Sequence, residues 1–127
     1  MKKILVPIDF SQSSKNALLV AAEIAHKSGA RLEMLHVNLA AVYSAPFAEY
    51  TAVSEYVVAD QQYDESAAGG LEKLKMELLA MPSYAHLDIS MRVEEGYLHS
   101  SVRNVAKEDD VDLVVMGTKG SSGLNEF

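Results

Sequence analysis

Three glycines spaced three apart, Gly117, Gly120 and Gly123, follow an apolar run that stops at Met116, and they enclose Lys119, Ser121 and Ser122. Glycines let main-chain N–H groups come close to a ligand and tolerate positive φ, and a helix N-terminus just beyond them favours anions. Leu124, Asn125, Glu126 and Phe127 read as the start of such a helix. With an ammonium from Lys119 and hydroxyl donors from the two serines, phosphate is the guest this chemistry suits. The loop is not GxxxxGK[ST], since no lysine follows Gly123, and it is not GxGxxG. The same glycines also suit a plain strand-to-helix turn, and spacing alone does not choose between the two.

A second polar turn stands near the other end of the chain, in PIDFSQSS, where Asp9 closes an apolar run and Ser11, Ser13 and Ser14 follow. An ATP-pyrophosphatase turn would need the glycines of SGGxDS here, and a phosphoacceptor receiver would need an acidic pair. Neither is present, and no nucleophile has an adjacent base, so an enzyme is not expected. His26, His36, His86 and His99 lack metal-ligand spacing such as HxxxH and read as structural or surface residues, with no metal site expected. Glu94 and Glu95 read as too far from Asp9 to form an acid/base pair. Asp109, Asp110 and Asp112 read as a solvated turn. The tyrosines at 43, 50, 56 and 63 suit a loop packed on the sheet or an interaction surface.

The elements that position these turns follow from hydrophobic periodicity. Residues 4–8 form a continuous apolar run, of the kind buried on both faces in parallel sheets. Ser11, Ser13 or Ser14 can cap the next helix, whose inner face would be Ala17, Leu18, Ala21, Ala22 and Ala25, with Gly29 beyond its end. Residues 32–37 are a second strand, completing a β-α-β unit. Residues 38–60 lack a sustained period and read as a long loop or irregular helical lead-in. A clear amphipathic helix runs over 61–81, closed by Pro82 and weakened by Gly69 and Gly70. Residues 87–93 alternate strictly, a half-buried outer strand. A helix carrying Leu98, Val102, Val105 and Ala106 leads to a final apolar strand over 113–116.

The order β-α-β-α-β-α-β is that of an open doubly wound α/β sheet, mostly parallel and Rossmann-like. With the alternating strand outermost and the two wholly apolar strands central, the expected strand order is 3-2-1-4. Ligands bind such sheets where the strand order reverses, at the C-terminal ends of the strands. Neighbouring strands lie ~4.8 Å apart, so the turn after Asp9 and the turn after Met116 should share one crevice.

Composition narrows the partners. The 127 residues suit a single domain, 1–127, and 49% hydrophobic residues suffice for a core. A net charge of −7 removes the basic footprint that nucleic acid requires. No 18-residue apolar run is present, so neither a membrane span nor membrane association is expected. The absence of cysteine removes disulfides and thiolate chemistry. The expectation is a soluble, acidic, cytoplasmic domain.

The stretches KILVPIDFSQSSKNAL, LHV, EEG and VDLVVMGTKGSSGL, in this order and spanning nearly the whole chain, resemble the universal stress protein family. The resemblance implies an adenine nucleotide alpha hydrolase-like fold and a stress-response regulatory function. Nucleotide-binding members carry G-x2-G-x9-G-[ST], and Gly117 with Gly120 matches its first half. The second half falls outside a chain in which seven residues follow Gly120. By the same resemblance Asp9 and Val37 would contact the adenine and ribose end of ATP or a related nucleotide. Pro7 and Ile8 would form an apolar wall. Met116, Gly117, Lys119 and Gly120 would hold the sugar and first phosphates, with Mg2+ accompanying them.

The family's fourth helix and fifth strand have no counterpart up to Phe127. The expectation is therefore a truncated domain, such as the first part of a longer or tandem protein, that binds ATP weakly or not at all. An edge as apolar as 113–116 calls for a cover, a homodimer partner or a second copy of the domain. The alternative function is a stress scaffold that binds no nucleotide and acts through dimerisation. Slow ATP hydrolysis is the one reaction left open.

Overall fold

The computed structural model describes residues 1–38 and 53–118, by backbone alone over 53–65. Four parallel strands, β1 (Lys3–Pro7), β2 (Arg31–Asn38), β3 (Ile89–Glu95) and β4 (Leu113–Val114), form one sheet in the order β3-β2-β1-β4. Register pairs Val6 with Met34 and Pro7 with Leu35 in the centre, and Val37 with Glu94 at the outer strand. The expected order is borne out, and with it the reversal between β1 and β4.

Helix α1 (Gln12–Ser28) starts where the Ser11 side chain accepts from the Ser14 N–H at 3.2 Å, satisfying a donor that the first turn leaves open. Gly29 ends it with φ 77°, its N–H bonded to the Ala25 carbonyl, as the left-handed C-terminal cap requires. Ala17, Leu18, Ala21, Ala22 and Ala25 are all buried, the face their spacing predicts. Helix α2 (Val53–Leu79) sets Ala67, Leu71, Leu74 and Leu78 on the same side of the sheet. With Ile4, Val6, Ile8, Leu32, Met34 and Ile89 these residues make the main core. Helix α3 (Leu98–Glu108) covers the opposite face, where Leu5, Leu35 and Val105 are buried with Val37, Val102 and Val114 beside them.

Three elements depart most from periodicity. Helix α2 begins at Val53, not near Gln61; neither glycine nor proline intervenes, so a helix anchored by its later turns continues backward through residues of ordinary propensity. Strand β3 is shifted to Ile89–Glu95 because Leu87 belongs to the preceding turn, its N–H donating to the Tyr84 carbonyl after a 3-10 segment at Pro82–Tyr84. Strand β4 is only Leu113–Val114. It pairs with β1 alone among the described residues, and after the Val115 N–H donates to the Leu5 carbonyl the chain leaves the sheet. No described helix is long and apolar enough to cross a membrane.

The acidic turn before β4 is more tightly bonded than the solvated turn expected. Asp112 accepts from the backbone N–H groups of Lys2 at 2.7 Å and Lys3 at 3.0 Å. Arg92 reaches Glu94, Glu108 and Asp109 at 3.1, 2.7 and 3.2 Å. Lys3 lies 3.3 Å from the buried Glu33.

Candidate functional site

The turn leaving β1 is held by its own side chains. Oδ1 of Asp9 accepts from the Ser11 backbone N–H at 3.0 Å and from the Ser11 hydroxyl, an Asx turn. The Ser11 hydroxyl oxygen also caps α1, and the Ser11 carbonyl accepts from the Ser14 hydroxyl at 3.0 Å. Asp9 is thereby fixed to the helix start, partly buried. Between them Phe10 has φ 66°, a left-handed conformation that for a bulky residue costs ~1–3 kcal/mol and persists only when its surroundings enforce it. One enforcing contact is His36, buried, its ring centroid 5.1 Å from that of Phe10. His36 Nδ1 lies 2.8 Å from the Ile8 carbonyl; a carbonyl only accepts, so the proton sits on Nδ1. The Ile8 N–H in turn donates to the Leu35 carbonyl at 2.7 Å.

The turn leaving β4 meets this one. A Cβ added to Gly117 would stand 2.8 Å from the carbonyl carbon and 2.9 Å from the carbonyl oxygen of Ser13, and against its Oγ. The need at Gly117 is for space: this glycine rests on Ser13 in the first turn of α1, four residues after Asp9. The exits of β1 and β4 thus sit side by side, as the strand order requires.

The expected site residues divide between two faces. Pro7 and Val37 belong, by strand alternation and register, to the α3 face, where Val37 packs beside Leu5 and Leu35. Ile8 lies on the other face, buried in the main core. Met116 is 37% exposed, and Gly117 is half-buried against Ser13. Lys119 and Gly120 lie outside the described residues, as do the side chains of the tyrosines at 43, 50, 56 and 63. An open groove of about 610 Å³ runs between α1 and the β4 exit, lined by Gln12, Ser13, Asn16 and Val20 on one side and Met116 and Gly117 on the other. It shares Ser13 and Gly117 with the crevice but not Asp9, Pro7 or Val37.

Of the remaining titratable groups, Glu94 is paired with Arg92 and stands on the outer strand, with β2 between it and β1. His26 and His86 approach each other at 3.5 Å between Nδ1 and Nε2, a pairing that sequence spacing does not reveal. Among the described residues no group of three His, Cys, Asp or Glu side chains is disposed to hold a metal ion. Periodicity also missed Phe10 and Gly70. The visible signal was the Gly69–Gly70 pair inside a helix, which marks a place where something comes close. At Gly70 that something is the Phe10 ring, 2.7 Å from where a Cβ would stand.

Comparison with known proteins agrees with this architecture. The model of the universal stress protein family matches residues 1–127. Universal stress protein YxiE of Bacillus subtilis is 28% identical over 129 aligned positions, 98% of this chain and 84% of the relative. Universal stress protein MJ0531 of Methanocaldococcus jannaschii is 28% identical over 99% of this chain and 69% of the relative. Among solved structures, the hypothetical protein MJ0577 matches with a TM-score of 0.78 at 24% identity, covering 99% of this chain and 81% of that one. Universal stress protein UspA of Lactobacillus plantarum matches at 0.75 and 21%, covering 99% and 83%. A universal stress protein solved in complex with cAMP matches at 0.53 and 21%, covering 90% and 70%. Identities this low speak for the fold, while the match of the family model along the full length speaks for descent: this chain belongs to the universal stress protein family.

Proposed function

We propose that the crevice between the β1 and β4 exits takes an adenine nucleotide, and that occupancy regulates what this domain assembles with. The observation that carries the reading is the seating of Gly117 on Ser13, which sets a glycine turn beside the locked Asp9–Ser11 turn at the reversal of strand order. In this reading Pro7 and Val37 present an apolar wall to the base, and the Asp9 carboxylate accepts from a ribose hydroxyl or an exocyclic amine. The backbone at Met116 and Gly117 follows the sugar, and Lys119 and Gly120 meet the phosphates, whose own oxygens would hold any Mg2+ that accompanies the nucleotide. A family member in complex with cAMP supports the ligand class. The role is regulatory, with the cytoplasm as its proposed compartment. The test is calorimetric titration of the folded chain with ATP, AMP and cAMP. Weak binding at one site per chain for at least one of them, lost in Gly117→Ala, is expected; no binding of AMP or cAMP, which ask least of the phosphate loop, even at high ligand concentration would end the reading.

A second reading is a scaffold that acts by self-association. It is favoured by β4, which among the described residues has a strand partner on one side only, with Val20 (54% exposed) and Met116 beside it. An unpaired apolar edge invites another strand, and a second copy of the domain would supply one. Light scattering over a concentration series separates the two: a monomer at every concentration, with or without nucleotide, excludes the scaffold.

A further inference from the structure

We infer that Gly70, on α2, is a positioning residue for the nucleotide crevice: the notch left by its missing side chain seats the Phe10 ring and thereby holds Asp9 toward the ligand. The inference rests on the nucleotide reading and deepens it by assigning a role to a helix that contributes no expected contact residue.

Two adjacent glycines interrupt α2 at a place where glycine destabilises a helix relative to alanine. They differ sharply in surroundings. Nothing lies within 4 Å of where a Cβ on Gly69 would stand, whereas a Cβ on Gly70 would meet Cε1 and Cζ of Phe10 at 2.7 and 2.9 Å. Only Gly70 therefore answers a steric demand, and the demand comes from the turn that carries Asp9. The Phe10 ring is enclosed on another side by the His36 imidazole, with centroids 5.1 Å apart and planes at 37°. That imidazole is itself anchored, its Nδ1–H donating to the Ile8 carbonyl at 2.8 Å. Asp9 is thus bracketed: its preceding residue is tied by His36 and its following residue is clamped between His36 and α2.

The backbone shows why a clamp is required. Phe10 has φ 66°, a conformation that a phenylalanine leaves unless its side chain is held. If the ring is pushed out of the notch, the peptide around Phe10 relaxes toward negative φ. The Ser11 N–H and hydroxyl then lose their alignment on Asp9 Oδ1, and the carboxylate turns away from the crevice. A residue far from any ligand atom would in this way set affinity through one aromatic ring.

The neighbouring glycine supplies the control. On helix propensity alone Gly69→Ala and Gly70→Ala should both raise thermal stability. Gly69→Ala is expected to do so and to leave nucleotide affinity unchanged. Gly70→Ala is expected to lower affinity about tenfold while the fold is retained. It should also shift the His36 ring protons in the NMR spectrum, because the Phe10 ring current that falls on them moves. Phe10→Gly accepts φ 66° without strain and empties the notch, so adding Gly70→Ala to it should cost no further affinity. A merely structural role would move stability and the His36 signals but leave nucleotide affinity, and with it this non-additivity, unaffected. Equal affinity for Gly70→Ala and the unmodified chain, whether or not the His36 signals move, would overturn the inference while leaving the nucleotide reading intact. An unmodified chain that binds no adenine nucleotide would remove that reading first, and the positioning role with it.

Discussion

At the end of the sheet where the strands begin, Lys3, Glu33, Arg92, Asp109 and Asp112 form a lattice of ion pairs and charged hydrogen bonds. At the end where β1 and β4 finish, the contacts are a serine cap, an Asx turn, a glycine pressed on Ser13 and an aromatic ring in a notch. The first end joins residues as distant in the chain as Lys2 and Asp112 and leaves its carboxylates occupied by the protein's own cations and amides. The second spends backbone strain at Phe10 and a helix glycine at Gly70 to present one carboxylate beside a glycine turn. Charge at one end closes the fold; shape at the other keeps a crevice between two strand exits. That division is what separates a structural acidic cluster from the proposed nucleotide crevice.

The sharpest way to break the comparison is Gly117→Ala. The added methyl meets the backbone carbon and oxygen of Ser13, which yield less readily than a side-chain tip, so the β4 exit or the first turn of α1 must move. Overpacking of this kind costs ~1–3 kcal/mol, readable as a lower denaturation midpoint, and nucleotide binding should be lost. Full stability with binding retained would show that the two turns do not depend on each other. Next in size is Ser11→Ala, which removes the helix cap and one of the two donors to Asp9 together. Loss of a cap costs about 1 kcal/mol, and affinity should fall with stability. An affinity unchanged while the midpoint drops would detach Asp9 from the site.

How far this division is legible before folding differs between the two ends. Strand order is readable because the chain distinguishes its strands by pattern: β1 is apolar throughout, β3 alternates, and only an outer place suits the second. The meeting of the Asp9 and Gly117 turns follows from that order, and Ser11 is visible as one of three candidate caps. What escapes is whatever depends on side chains approaching across the sequence. The acidic residues before β4 read as solvated because nothing local says that the amides of Lys2 and Lys3 and the guanidinium of Arg92 will reach them. Phe10 carries no mark of its left-handed backbone, and Gly70 cannot be told from Gly69 until the ring arrives.

The ionic end makes its own, smaller predictions, and their signs differ. Glu33 is buried on β2 and its pKa is raised, first by burial and then by a hydrogen bond shared with Asp109, with Lys3 opposing. A carboxyl that binds its proton more tightly in the folded than in the unfolded chain adds stability below its ordinary value of 4.5, and that contribution fades as pH rises through the raised value. Glu33→Gln keeps a donor for Asp109 and has no proton to lose, so its denaturation midpoint should exceed that of the unmodified chain near neutral pH and converge with it in acid. A midpoint lowered at every pH would mean that the Lys3 ion pair outweighs burial.

Asp112 should behave in the opposite sense. The Lys2 and Lys3 amides hold its pKa below the usual carboxylate range, so its contribution is present above the unfolded value and is lost as pH falls through the depressed one. Because the carboxylate is exposed, the effect of Asp112→Ala is the smallest considered, a modest lowering of the midpoint at pH 7 that vanishes in acid. The same substitution should leave nucleotide affinity untouched, since β1 lies between this carboxylate and the crevice along the strand axis. If Asp112→Ala weakened binding as much as Ser11→Ala, the two ends of β1 would be coupled through the strand, and the separation between an ionic foundation and a crevice set by shape would fail.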